Sequence, residues 1–289
     1  MATRASPPNY IQQPGPDGAP YIAVPTGLTR LEFDLPAGVS LHVSLAHEIK
    51  ARGLNGGYFR IKDAGMARLQ YVIPALPNDD QHVAWYSAVH TPAMPGRIMD
   101  AGIICGFYMG APYYHCHAQI SDASGNSAMG HLLPETCIPA QSIRVIGHGF
   151  TEARFTRNFD PQTGFELFTP EAVAAAPVEA QLIRITPNTD IGTALVETCH
   201  NAGWARASAH GIGSLIGAHF ADGRVFDSFA TEFLLTKGTI DLTCKTPDVA
   251  LDIVLVGLDG GFESGRLKRQ ENPVLITAEI ILIGDSSVK

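Results

Sequence analysis

The sequence predicts an α+β protein built from two tandem copies of a mainly antiparallel sheet, each with one packed helix. Three observations carry this. The order strand, helix, run of strands, turn-and-return hairpin occurs twice along the 289 residues. The glycines that stop the two helices, Gly53 and Gly203, fall at equivalent points of the two runs. The strands are short apolar or alternating stretches set between turn residues, in a chain with 29 Gly and 20 Pro.

Residues 1–27 carry Pro7, Pro8, Pro14, Pro16, Pro20 and Pro25 and read as an extended arm, unsuited to a helix or a sheet interior. Such an arm is either disordered or laid across a neighbour. The first unit spans 28–172. Residues 31–35 alternate as a strand, and Ser40 caps a helix running to about Arg52, with apolar positions at Leu41, Val43, Leu45 and Ile49. Strands are expected at 57–61, 67–73, 83–89 and 101–108. A hairpin follows over 113–120 and 127–133, and 142–149 closes the unit. Residues 159–177 read as loop with a short Ala-rich helix starting near Pro170.

A linker over 173–180 leads to the second unit, 181–289. Its first strand is 182–185, and Thr189-Asp190 offers an N-cap for a helix to about Asn201. Strands are expected at 205–209, 214–220, 225–229, 232–235, 249–256 and 273–283, with a turn at 258–261.

Hydrophobic content of 45% against 17% charged describes a well-cored chain. The net charge of −8 argues against a nucleic-acid partner, because neutralising phosphates requires a basic surface. Five Cys without CxxC spacing read as reduced thiols. No apolar leader or membrane-length run is evident, so the expected compartment is the cytoplasm and no membrane partner is expected.

The chemistry concentrates in Tyr113-Tyr-His-Cys-His-Ala-Gln-Ile120 and the Gly130-His131-Leu132 that follows its turn. On a strand, alternate side chains share a face, so Tyr113, His115 and His117 point one way and Cys116 the other. The turn at 122–126 folds the chain back and brings His131 level with the pair. Three imidazoles with no fourth protein ligand in the motif form the pattern of a catalytic metal with an open position. A divalent ion is expected there, with zinc favoured.

These residues, His115-Cys-His117, Asp122–Gly125 and Gly130-His131-Leu132, resemble the plant-and-prokaryote conserved (PPC) domain. The second unit resembles it through Gly211-Ile-Gly-Ser-Leu215 and Asn272-Pro-Val-Leu-Ile-Thr-Ala-Glu279. The likeness covers about 28–150 and 180–284. It implies a compact antiparallel sheet fold assembled as a homo-oligomer, a trimer before a dimer. Plant members act on DNA through Arg-Gly-Arg-Pro hooks, which this sequence lacks, so specific nucleic-acid binding is not expected. The fold implied is also similar to that of acetolactate decarboxylase, whose His-x-His and later His hold zinc. In the second unit, alignment sets Asp252, Val254 and Arg266 where the three His stand, so that copy is expected to be metal-free. It either serves as a scaffold or lends groups to a site at an interface.

The implied function is a metal-dependent lyase, decarboxylase or isomerase acting on a small keto, hydroxy or unsaturated carboxylate. Arg60, Lys62, Arg68 and Arg266 are the candidates for holding the carboxylate. Tyr113, Glu135 and His210 are the candidates for proton transfer, Glu135 doubling as a fourth ligand or a turn cap and His210 lying in a Gly-rich turn. The alternative is a non-catalytic binding protein or a DNA-associated regulator. No Gly-x-Ser-x-Gly elbow or Walker loop offers another chemistry.

Overall fold

The computed structural model describes residues 10–175 and 178–285. The first nine residues of the arm, two linker residues and the last four residues lie outside that range.

Among the described residues, strands alternate with two helices, in an α+β fold that is mostly β. The principal elements are β1 (Tyr21–Thr26), β2 (Leu28–Leu35), α1 (Leu41–Ala51), β3 (Gly57–Arg68), β4 (Gly96–Tyr108), β5 (Ala111–Ser121), β6 (Ser127–Leu132), β7 (Ile143–Phe150), β8 (Ala153–Phe159) and β9 (Glu166–Ala172). They continue with β10 (Ala180–Ile185), α2 (Ile191–Ala202), β11 (Arg206–Leu215), β12 (Thr231–Asp241), β13 (Asp248–Gly257), β14 (Phe262–Arg266) and β15 (Val274–Gly284).

Both helices start where a side chain replaces the missing turn of backbone acceptors. Ser40 accepts from the Val43 N–H at 3.3 Å, and Asp190 accepts from the Thr193 N–H at 2.7 Å. Gly203 ends α2 at φ 71°, a left-handed value that side chains resist.

The first sheet runs β2-β7-β3-β4-β5-β6, and the second runs β10-β15-β11-β12-β13-β14 with β1 added outside β10. Strand for strand, the two orders are the same. Helix α1 packs its Leu41, Leu45 and Ile49 on one face of the first sheet, against Ile103, Cys116 and Ala118. Helix α2 does likewise on the second sheet through Ile191 and Leu195. The remaining faces meet each other, where Tyr58, Ile104 and Met129 pack with Ile212, Leu234, Val254 and Ile281. The layers are therefore helix, sheet, sheet, helix. Gly102 lets the sheets approach closely, since a Cβ there would stand 2.6 Å from the Leu234 Cδ1.

Several sequence expectations are corrected. The short helix expected from near Pro170 does not start there, because residues 166–172 form a strand whose pairing with β8 buries Phe168 and Pro170 beside Phe155. A lone helix of that length offers no comparable burial and nucleates poorly. The expected strand 57–61 runs on to Arg68 as β3, the expected strand 67–73 is reduced beyond it to Tyr71–Val72 pairing with β6, and 205–209 joins 210–215 as β11. Gly211 and Gly213 are thus not turn residues. They lie mid-strand, where the neighbouring β15 backbone leaves no room for a Cβ. The arm is also held by its own chain. Residues 21–26 pair with β10 at the sheet edge, the position where Pro25 is tolerated, and Gln13 donates to the Leu275 carbonyl. Among the described residues, no helix is long and apolar enough to cross a membrane.

Candidate metal centre

Strand alternation places His115 and His117 on the face of β5 that meets the second sheet, and Cys116 behind them in the α1 core. In the β5–β6 ladder His131 lies directly opposite His117. The ligand atoms of the three imidazoles all lie within 4.8 Å of one another.

The second sheet fixes how these rings are protonated. The Nδ1 of His117 lies 2.8 Å from the Phe233 carbonyl, which can only accept, so Nδ1 carries the proton and donates. The Nδ1 of His115 faces Glu279 Oε2 at 2.8 Å and donates there. Glu279 is itself held by the Thr277 hydroxyl, which donates to its other oxygen at 3.1 Å. Both outward nitrogens are thus used, and the two Nε2 atoms face each other at 3.0 Å. Burial holds His117 and His131 well below the ordinary histidine range, with the neighbouring imidazoles adding to it, so protonating a ring is disfavoured.

Two further atoms lack a partner. His131 Nδ1 and Glu232 Oε2 are buried with no hydrogen bond. Glu232 Oε1 stands 3.7 Å from His117 Nε2 and 3.9 Å from His131 Nδ1. Burial pushes the Glu232 carboxyl up to about 8. Converging imidazole nitrogens beside an unsatisfied carboxyl group are a donor set that a divalent cation satisfies, and outer-sphere partners on both His-x-His rings are typical of metal ligands. The residues present fit the ion.

Two cavities meet at this cluster. One, of about 70 Å³, is lined by His115, His117 and Glu232 together with Ala84, Trp85 and Leu275. The other, of about 260 Å³, is lined by His115, His131, Tyr113, Arg157, Glu166 and Glu279.

No family model and no curated protein matches the chain. It is similar to a metal-containing protein from Archaeoglobus fulgidus, with TM-score 0.40 and 17% identity over 50% of this chain and 94% of the other. A PPC protein from Pyrococcus horikoshii gives TM-score 0.39 and 15% identity over 50% and 94%. A candidate DNA-binding protein from Ralstonia eutropha JMP134 gives TM-score 0.39 and 17% identity over 53% and 96%.

The structure brings together His115, His117, His131 and Tyr113, and sets the other candidates elsewhere. Glu135 is exposed near His42, on the α1 side of the first sheet. His210 packs against Tyr58 and His148. Arg60 is ion-paired with Asp100 and donates to the Leu235 carbonyl, while Lys62 is exposed at 3.9 Å from Asp100. Arg68 is exposed on β3, and Arg266 pairs with Asp252 at 2.8 Å. None of these lines either cavity. The alignment of Arg266 with His131 is also shifted. Val254 lies opposite Ser264, and Arg266 lies opposite Asp252.

Glu232, Glu279 and Arg157 were missed. The two glutamates did leave a signal, each being a lone carboxylate inside a strand that is otherwise apolar around it, Thr231–Leu235 and Val274–Ile283. Arg157 left none, because no element was expected over residues 150–158 and a lone Arg there carries no motif.

Proposed function

We propose that the chain is a metal-dependent enzyme acting on a small keto, hydroxy or unsaturated carboxylate. The ion, with zinc favoured by the nitrogen ligands, would be held by Nε2 of His115, Nε2 of His117 and His131. The observation that carries the reading is the convergence of three imidazoles with ligand atoms within 4.8 Å of one another, two of them held by the second sheet through Nδ1 so that both Nε2 atoms face inward.

When bound, such an ion supplies a Lewis acid that polarises a carbonyl or enolate oxygen. The chain's own groups do the rest. Glu279, braced by Thr277, fixes the tautomer and ring plane of His115, and the Phe233 carbonyl does the same for His117. The free oxygen of Glu232 at the cavity wall is placed to take a proton from bound substrate and return it. Tyr86 and Phe165 line both cavities and limit the water that reaches the cluster.

The test is elemental analysis after zinc-replete expression, followed by thermal shift with pyruvate, malate and fumarate and a duplex-DNA gel shift. Each is run on the wild type and on His117→Ala. One ion per chain, and carboxylate stabilisation that disappears in the variant, is expected. A metal-free wild type, or tight salt-sensitive DNA binding retained by the variant, overturns the reading.

A further inference from the structure

The β8–β9 hairpin stands between the two sheet units in sequence. It joins the first sheet through a single parallel pair, Thr156 with Phe107, and delivers Arg157 to the larger cavity. The Arg157 guanidinium lies over the Tyr108 ring at 4.8 Å and the Tyr113 ring at 4.6 Å. Its Nε donates to the Glu166 carbonyl oxygen at 3.3 Å, and Nη2 pairs with the Glu166 carboxylate at 3.3 Å. Those contacts fix the plane of the group. They leave Nη1 without an acceptor among the described residues. Arg157 is also the single Arg or Lys among the residues lining the two cavities that meet at His115.

The two cavities therefore differ in what they can hold. The smaller one is walled largely by apolar side chains and has no Arg or Lys in its lining, so a carboxylate would be buried there without a cationic partner. The larger one offers a pinned cation whose remaining N–H groups have no other acceptor. A guanidinium already fixed by two rings and a carboxylate loses little freedom on binding a second anion, and its fork matches a carboxylate.

We infer that Arg157 is the anchor for the substrate's carboxylate, and that the substrate is bifunctional, presenting one oxygen to the His115, His117 and His131 centre and a separate carboxylate to Arg157. This rests on the metal-dependent reading above and sharpens it. A monofunctional carbonyl compound would lack the second hold, and the sequence candidates Arg60, Lys62, Arg68 and Arg266 have no part in it.

The test uses the full-length, zinc-loaded chain and L-malate as the probe, with dimethyl malate as the uncharged comparison. Binding is followed by thermal shift and calorimetry on the wild type, Arg157→Gln and Arg157→Lys, with zinc content measured on each. The expected result is saturable binding of malate and not of its diester, weakened about 10- to 100-fold in Arg157→Gln. Zinc content should stay at the wild-type level, and Arg157→Lys should recover part of the loss. Equal malate affinity in wild type and Arg157→Gln, or equal binding of acid and diester by the wild type, overturns the assignment while leaving the metal centre standing. A wild type that takes up no zinc instead overturns the reading on which it rests. The diester comparison needs no substitution, so a variant that fails to fold does not protect the proposal.

Discussion

The two sheets share one strand order, yet the faces they turn to each other carry complementary chemistry. The first presents three imidazoles, from β5 and β6. The second presents two glutamates and a backbone carbonyl, from β12 and β15, and no nitrogen ligand at all at Val254. On the first sheet the polar groups point at a common centre. On the second they point at the imidazoles. The difference teaches that neither copy holds the site alone. Of the two expectations for the second copy, scaffold or donor of groups to an interface, the geometry favours the donor, and the interface lies within one chain.

The largest effect should come from truncating equivalent positions in the two copies. His117→Ala is expected to drop zinc from one per chain to less than about a tenth, because the remaining two nitrogens do not make a closed set. Val254→Ala should leave zinc untouched and cost about 2 kcal/mol of stability, the transfer of two methyl groups plus a small cavity between the sheets. Elemental analysis and urea unfolding on both variants read the contrast. Zinc loss in Val254→Ala, or its retention in His117→Ala, would break the division of roles between the copies.

A smaller effect should come from the second sheet's side of the centre. Glu279→Gln keeps the size of the side chain but removes the charge that orients His115 and makes it a better donor. Outer-sphere changes of this kind weaken metal affinity about 10- to 100-fold. Competition with a chelator measures it, and an unchanged affinity would reduce the second sheet to a scaffold.

Much of this was legible from residue order. Both helices stand within a residue or two of the positions set by Ser40, Asp190, Gly53 and Gly203, because caps act locally. The alternation of His115 and His117, and the hairpin that returns His131, follow from the period of a strand and a five-residue turn. What could not be read depends on pairing at long range. The helix expected from near Pro170 failed because pairing with β8, not local propensity, decides residues 166–172. Gly211 and Gly213 resembled a turn but serve close packing against β15. Glu232 and Glu279 lie more than a hundred residues from the imidazoles they meet, and only the packing of sheet on sheet shows what they face.

A last expected effect concerns a second polar cluster between the sheets, the one that holds His210. Burial, aided by the charges of His148 and Arg60, lowers His210 to about 4. It faces Tyr58 on β3, whose hydroxyl is buried, the Arg60–Asp100 pair on β3 and β4, and His148 on β7, itself lowered by burial. A base whose pKa is depressed in the fold binds protons more readily when unfolded. Its contribution to stability is therefore complete above about 6.5 and is lost as pH falls toward 4. By pH 5 the loss is about 2 kcal/mol from this group alone. His210→Asn removes the titration, so the gap in stability between wild type and variant should change by that amount between pH 7 and pH 5. The groups at the candidate metal centre are the same in both proteins and cancel in the comparison. Urea unfolding of the metal-free forms at the two pH values provides the measurement. A gap that stays constant would show that His210 is open to water at the sheet interface, and that the close packing around the metal centre does not extend to this end of it.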